Sequence, residues 1–236
     1  MATLSKNILG NISGSIADLT FRRAHGKTFI VNKPSSYSTP VDPDSVRRRN
    51  DFGFTCKLAS AINSLNILHG FWQKAVPKHS TVFHTIVKSI FKTVDAGTVT
   101  SQSMLAPGAD WNFNCMSFSC TASQIELKTD CPRISKNTRS KGETTLMLIA
   151  VPVFTSPHEQ SLDACLFDAL VSEPQAITAG QTLNFILPFS SLLSQRYEQY
   201  RIRKVLLMLV TVDDDGNPLR HSNTILKEES LQSTNL

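Results

Sequence analysis

The chain has 236 residues, and 41% of them are hydrophobic, a share that supports a folded core and excludes a largely disordered polypeptide. No apolar run approaches the roughly 18 residues of a membrane-spanning helix, so we expect no membrane span. The net charge of +5 is uneven: residues 1–100 hold 13 Lys and Arg against 5 Asp and Glu, whereas residues 101–236 hold 11 against 14. A basic half of this kind can contact nucleic acid, an anionic surface or the acidic half of another copy.

The start of the chain and its cysteines bear on its location. The first ten residues lack the charged segment and the long apolar segment of a secretory signal peptide. We therefore expect synthesis without such a peptide, and a location in the cytoplasm or within an assembled particle. We expect the five cysteines to be free thiols, because their number is odd and no two have C-x-x-C spacing.

The first predicted element is a β-hairpin over residues 14–34. A glycine at the third position of Ala24-His25-Gly26-Lys27 suits a tight turn between the two strands. The polar residues that follow predict a linker, which ends an N-terminal arm over residues 1–40. A lone two-stranded hairpin is only marginally stable in water, so we expect it to lie on the rest of the chain or on another molecule.

Two helices are predicted over residues 41–97. The first begins at Asp42-Pro43-Asp44, where Asp42 can cap the helix and Pro43 fits its first turn. We expect it to break at His69-Gly70. The second begins after Ser80 or Thr81, has apolar residues at a period near 3.6, and is expected to end at Gly97. The short connection between them predicts an antiparallel helical pair.

After Gly97 the apolar period becomes that of strands. The organising strand is predicted at 205–212, the longest unbroken apolar run, which we expect to be buried on both faces. The turn at 213–218 then leads to a partner strand at 221–226, and a helical turn is predicted within 190–200. Strands are predicted at 115–120, 124–128, 144–154, 164–170, 182–187, 203–212 and 222–226.

This order of elements predicts an α+β fold. An N-terminal β-hairpin and a helical pair are followed by an antiparallel β-sandwich of the immunoglobulin or fibronectin type over residues 98–228. Residues 229–236 are polar and are expected to form a loose tail.

Several short motifs occur in a fixed order along the chain. They are Ile8-Leu9-Gly10 with Ser13-Gly14, Gly26-Lys27 with Lys33-Pro34, Arg49-Asn50-Asp51-Phe52, and the strand 205–212 followed by Asp215-Gly216 and Ser222-Asn223. Together they resemble a bacterial family of short, often multi-copy proteins of unknown function. The sequence departs from that family at Asn217-Pro218 and in its middle part. The resemblance implies an architecture and supplies no catalytic residues.

Sites for metals and catalysis are not indicated. The acidic turn at 213–217 differs from a calcium-binding EF-hand loop. That loop has glycine at position 6 and glutamate at position 12, but counting from Asp213 the glycine, Gly216, is at position 4 and Thr224 is at position 12. Cys115 and Cys120 are five residues apart, which places them on opposite faces of one strand. The motifs of serine hydrolases, zinc proteases and nucleotide-binding enzymes are absent. We therefore expect a protein that is not an enzyme and has no cofactor.

Nine residues of the N-terminal half are candidates for interaction. They are the aromatic and basic residues of the hairpin and the basic start of the first helix: Phe21, Arg22, Arg23, Lys27, Phe29, Lys33, Arg47, Arg48 and Arg49. The leading hypothesis is a self-associating subunit of a filament, a particle or a phage-like structure, a homo-oligomer joined through its N-terminal arm. The second is a monomeric β-sandwich that binds a protein or a glycan, in which Trp72 or Trp111 would take part if exposed. The third is nucleic-acid binding by the basic half.

Overall fold

The computed structural model describes residues 2–4, 14–24, 27–33, 39, 41–131, 142–159, 162–178 and 180–229. The chain forms two compact units, residues 1–45 and residues 46–236. Several predictions lie outside the described residues, namely the turn residues His25 and Gly26, most of the linker at 35–40, the motif at 8–13 and the tail after residue 229.

The N-terminal unit contains a four-stranded antiparallel sheet with the order β1-β4-β3-β2. The predicted hairpin is confirmed, since β3 and β4 pair from Leu19 opposite Asn32 to Ala24 opposite Lys27. The sheet is larger than predicted, because a second reversal at Ala17, which has a φ of 50°, adds β2 to β3. The strands are β1 (Ala2–Leu4), β2 (Gly14–Ile16), β3 (Leu19–Ala24) and β4 (Lys27–Asn32).

Helices α1 (Pro43–Asn63), α2 (Asn66–Ala75) and α3 (Val82–Phe91) come next. Both predicted caps are confirmed: the Asp42 carboxylate accepts a hydrogen bond from the Ser45 N–H at 2.9 Å, and the Thr81 hydroxyl accepts one from the His84 N–H at 3.2 Å. The predicted break at His69-Gly70 is wrong, because both residues lie inside α2. Burial of Phe71 and Trp72 in the core offsets the low helix propensity of the glycine.

The predicted end of the second helix at Gly97 is also wrong. Helix α3 ends at Phe91, and the strands β5 (Val94–Asp95) and β6 (Thr98–Val99) form a short hairpin after it. Ala96 and Gly97 have φ angles of 48° and 69°. Two consecutive positive φ angles are typical of the type I′ turn that joins paired strands, so this glycine serves a hairpin and not a helix end.

The remaining strands form two antiparallel sheets. The predicted strand at 164–170 is broken into two pieces, and the predicted return strand at 221–226 is replaced by two short strands on either side of residues 222–224. The elements are β7 (Cys115–Cys120), β8 (Gln124–Asp130), β9 (Thr145–Pro157), β10 (Cys165–Phe167), β11 (Leu170–Val171), β12 (Gln175–Ala176), β13 (Thr182–Pro188), α4 (Ser191–Arg196), β14 (Tyr200–Val212), β15 (Pro218–His221) and β16 (Ile225–Glu228).

The two long strands β9 and β14 form the centre of the larger sheet. They pair over their whole length, from Tyr200 opposite Pro157 to Val212 opposite Thr145. The strands β10, β11 and β12 line the outer edge of β9, and β15 and β16 line the outer edge of β14. Residues 205–212 are buried throughout, as the apolar run predicted. The smaller sheet has the order β13-β8-β7.

Alternate residues of β14 belong to two hydrophobic cores on opposite faces of the larger sheet. Leu206, Met208 and Val210 pack with the apolar faces of α1, α2 and α3. Leu207 and Leu209 pack with the inner residues of β8 and β13. The second unit therefore has three layers, with helices on one face of the larger sheet and the smaller sheet on the other. The α+β class with antiparallel sheets is confirmed.

Candidate interaction surface

One face of the N-terminal sheet carries two basic side chains beside an aromatic one. Arg22 lies opposite Phe29, and Lys27 is two residues before Phe29 on the same strand, so these three side chains share one face. We call it the basic face. Arg22 and Lys27 are exposed and Phe29 is half-buried.

The other face of this sheet carries a cluster of four apolar residues. Phe21 lies opposite Ile30, and Ile16 lies opposite Leu19. These four residues form what we call the apolar face. Ile16 and Leu19 are 61% and 40% exposed. Phe21 is therefore separated from Arg22, Lys27 and Phe29, because it lies on the opposite face of the sheet.

The other predicted interaction residues lie in or beside the same elements. Arg23 is on β3, and its side chain is outside the described part of the structure. Lys33 follows β4 and is exposed, and its N–H donates a hydrogen bond to the Asp18 carbonyl at 2.6 Å. Arg47, Arg48 and Arg49 are exposed in the first turns of α1. Successive helical residues are about 100° apart, so these three side chains point in different directions around the helix.

The motif at residues 49–52 has a structural role that its sequence does not reveal. The buried Asp51 carboxylate accepts a hydrogen bond from the Gly97 N–H at 2.7 Å and so holds the β5–β6 turn. Phe52 is 53% exposed, and its ring lies edge-on to Phe91 with 6.1 Å between centroids. Only the tertiary fold brings Asp51 to Gly97, since these residues are 46 positions apart.

The acidic turn after β14 is a hairpin turn, as predicted. The Asp213 carboxylate accepts hydrogen bonds from the N–H groups of Asp215 and Asn217, at 3.0 and 2.7 Å, and from the Asn217 side-chain amide at 3.1 Å. These bonds lower the pKa of the Asp213 carboxyl. Within the described residues, no group of three or more His, Cys, Asp or Glu side chains is arranged to hold a metal ion.

A groove of about 540 Å³ adjoins this turn, between the start of α2 and the ends of β9 and β14. Asp214 is on its rim and is exposed, while Met147 and Ile67 are half-buried in its wall. We call this the acid-rimmed groove. Its apolar lining consists of Ile67, Met147, Val171, Pro174, Val212 and Pro218.

A second cleft, of about 430 Å³, lies beside Trp111. The lining combines the half-buried indole of Trp111 with the exposed polar side chains of Asn112, Asn114 and Asp130. The Arg220 guanidinium is 5.7 Å from the Trp111 ring centroid. Trp72, in contrast, is 1% exposed, and its indole N–H donates to the Leu105 carbonyl at 2.8 Å, so it belongs to the core.

A buried polar cluster joins the end of β16 to the 3-10 turn at Tyr197–Gln199. The Tyr197 hydroxyl lies within hydrogen-bonding distance of two acceptors, the Cys120 carbonyl at 3.0 Å and the Glu229 carboxylate, which share its one proton. The Arg203 guanidinium lies 4.0 Å from the Tyr197 ring centroid and 3.3 Å from the Glu229 carboxylate. Burial raises the pKa of the Tyr197 hydroxyl and raises the pKa of the Cys120 thiol to about 12, which makes this thiol unreactive near neutral pH.

All five cysteines are free of disulfide bonds, in agreement with the prediction. Among the described residues, no helix is long and apolar enough to cross a membrane. Comparison with models of known protein families and with curated proteins finds no match for this chain.

Proposed function

We propose that the chain is a non-enzymatic structural protein that associates with copies of itself, as a subunit of a filament, a particle or a phage-like structure. The observation that carries this proposal is the apolar face of the N-terminal sheet, where Ile16 is 61% exposed and Leu19 is 40% exposed. A small sheet needs its apolar face covered to be stable in water. We infer that a second copy covers it.

Two further features support the proposal. The excess of positive charge at residues 1–100 and of negative charge at residues 101–236 favours contacts between unlike halves of neighbouring copies. Such contacts are heterologous, and they build rings or open filaments. As part of this proposal, we assign the chain to the multi-copy bacterial family that its motifs resemble. We also assign the two stacked sheets to the immunoglobulin or fibronectin type. The alternation of buried residues along β8 and β13 favours that type.

Deleting residues 1–34 tests the proposal. Light scattering and negatively stained grids should show large regular assemblies for the full chain and monomers for the truncated chain. Circular dichroism should show that the second unit keeps its fold, since its cores are built from residues of that unit. Assembly of the truncated chain at the wild-type concentration would refute the role of the N-terminal sheet.

To separate the apolar face from the rest of the sheet, a point variant is useful. Leu19→Asp places a charge on that face, whereas Ser119→Asp places the same charge at an exposed position on β7, outside the N-terminal sheet. We expect Leu19→Asp to abolish assembly and Ser119→Asp to retain it.

A second candidate function is glycan binding at the cleft beside Trp111. Aromatic rings stack on the apolar face of sugars, and amide and carboxylate side chains bind sugar hydroxyls, and this cleft offers an indole, Asn112, Asn114 and Asp130. Titration with a panel of neutral oligosaccharides, followed by tryptophan fluorescence, tests it. Binding by the wild type that is lost in Asn114→Ala would support this function, and no response to any sugar would reject it.

A further inference from the structure

The acid-rimmed groove combines an apolar wall with negative charge at its edge. Its apolar lining comes from three separate parts of the chain: the start of α2, the end of the larger sheet where β9 begins and β14 ends, and the segment 171–174. Asp213 is engaged in holding the turn, but the neighbouring Asp214 is exposed on the rim. A volume of about 540 Å³ is in the range in which protein clefts hold small ligands. The groove therefore suits an apolar side chain that is flanked by cations.

The basic face of the N-terminal sheet has this composition. Phe29 lies directly opposite Arg22 on the neighbouring strand, with Lys27 two residues away along its own strand. Side chains that are directly opposite in an antiparallel pair are about 5 Å apart at Cβ, and those two apart on one strand share a face. The aromatic ring is thus flanked by two exposed positive charges.

We propose that the acid-rimmed groove of one copy receives the basic face of the N-terminal sheet of a second copy. This inference rests on the proposed self-association and names its contact. Phe29 lies against the apolar wall, and Arg22 and Lys27 face Asp214 on the rim. The contact joins different surfaces of the two copies, so each copy offers one free groove and one free sheet for further growth. The apolar face of the sheet is on the opposite side from this contact and is covered separately.

Charge reversal tests the contact without disturbing either unit. Asp214→Lys alters the groove, and Asp214 is chosen because the turn depends on Asp213. Arg22→Glu alters the sheet at an exposed position. We expect each variant alone to raise the dissociation constant for self-association about tenfold or more, because unlike charges at the contact become like charges. Glu126→Lys has the same change of charge as Asp214→Lys but lies on β8, outside the groove, and should assemble as the wild type does.

Mixing the two variants is the decisive experiment. The basic face of the Asp214→Lys copy matches the unaltered groove of the Arg22→Glu copy, and the reversed charges of the other two surfaces also complement each other, so both contacts can form. Light scattering should show that the mixture regains assemblies as large as those of the wild type, although each variant alone does not form them. Circular dichroism of both variants should match the wild type.

The other outcomes are distinguishable. If the wild type is monomeric at all concentrations tested, the proposed function and this inference both fail. If the wild type assembles but either charge-reversed variant assembles equally well, only the inference fails. The same holds if both variants lose assembly and mixing them does not restore it, since the two surfaces then do not face each other.

Discussion

Ser172 and Ser222 occupy equivalent positions on the two sides of the central strand pair. The Ser172 hydroxyl accepts a hydrogen bond from the Leu148 N–H at 2.8 Å and donates to the Glu173 carbonyl. The Ser222 hydroxyl accepts one from the Leu209 N–H at 2.9 Å and donates to the Asn223 carbonyl. Leu148 and Leu209 are themselves cross-strand partners. Each serine thus completes the hydrogen bonding of a long strand where its outer neighbour is interrupted.

We predict that Ser172→Ala and Ser222→Ala each lower the free energy of unfolding by about 1–3 kcal/mol, because each leaves a buried backbone N–H without an acceptor. Urea denaturation followed by circular dichroism measures the change. Ser119→Ala, at an exposed position on β7, should change the free energy by less than about 0.5 kcal/mol. A loss no greater than that of Ser119→Ala would show that water satisfies these N–H groups.

The buried ion pair between Arg220 and Glu143 gives a second prediction. The Arg220 guanidinium donates two hydrogen bonds to the Glu143 carboxylate, one at 2.8 Å, and the Glu143 side chain is fully buried. Glu143→Ala leaves the guanidinium without its anion and should cost about 3–5 kcal/mol of unfolding free energy.

The surface pair between Arg196 and Asp163 is the matched control for this ion pair. The side chains are 3.5 Å apart, and they are 34% and 64% exposed. Asp163→Ala should cost less than about 1 kcal/mol, because solvent screens the pair. The thermal midpoints of the two variants, measured in the same buffer, should therefore differ clearly. Equal midpoints would mean that the buried pair contributes no more than the exposed one.

A third prediction concerns stability at alkaline pH. Burial raises the pKa of Cys120 from 9.0 to about 12 and also raises the pKa of Tyr197, so both groups keep their protons in the folded state at pH values where the unfolded chain loses them. Their contribution is complete below pH 9 and falls as the pH rises from 9 towards 12. Urea denaturation at intervals above pH 8 should show this decline. The Cys120→Ala variant should show a shallower slope, and an unchanged slope would contradict the assignment to this thiol.

The hypothesis of nucleic-acid binding makes a fourth prediction. Replacing Arg47, Arg48 and Arg49 with Gln should lower the salt concentration at which the protein elutes from immobilised duplex DNA, because phosphate contacts release counterions. The particle mass should be unchanged, since self-association is assigned to the N-terminal sheet and the groove. Elution that is the same for wild type and variant would exclude these arginines as phosphate ligands.

Local interactions were predictable from the sequence, and distant ones were not. The caps at Asp42 and Thr81 use side chains three residues away from their partners, so a short motif contains the whole interaction. The helix through Gly70 depends on burial of Trp72 beside Leu105, which is 33 residues away. For the same reason the Ser222-Asn223 motif was noted without its role, because the partner of Asn223 is the N–H of Phe113.

The surface itself was only partly predictable. The basic and aromatic residues of the hairpin could be named from the sequence, and register then placed Arg22 and Phe29 on one face and Phe21 on the other. A hairpin turn at residues 213–217 was predicted, but the groove beside it was not. Its wall contains Ile67 and Pro174, which are far apart in the sequence. The spacing of apolar residues within one helix or strand cannot predict that they lie side by side.

The shared use of β14 by two cores has a consequence for synthesis of the protein. Helices α1 to α3 precede every strand of the larger sheet in the chain, so they leave the ribosome first. Their apolar faces cannot pack against Leu206, Met208 and Val210 until those residues have been synthesised. The inner face of the smaller sheet likewise cannot be covered before Leu207 and Leu209 of the same strand are made. A nascent chain that ends before Tyr200 has neither core closed. We expect such chains to depend on chaperones until β14 is made.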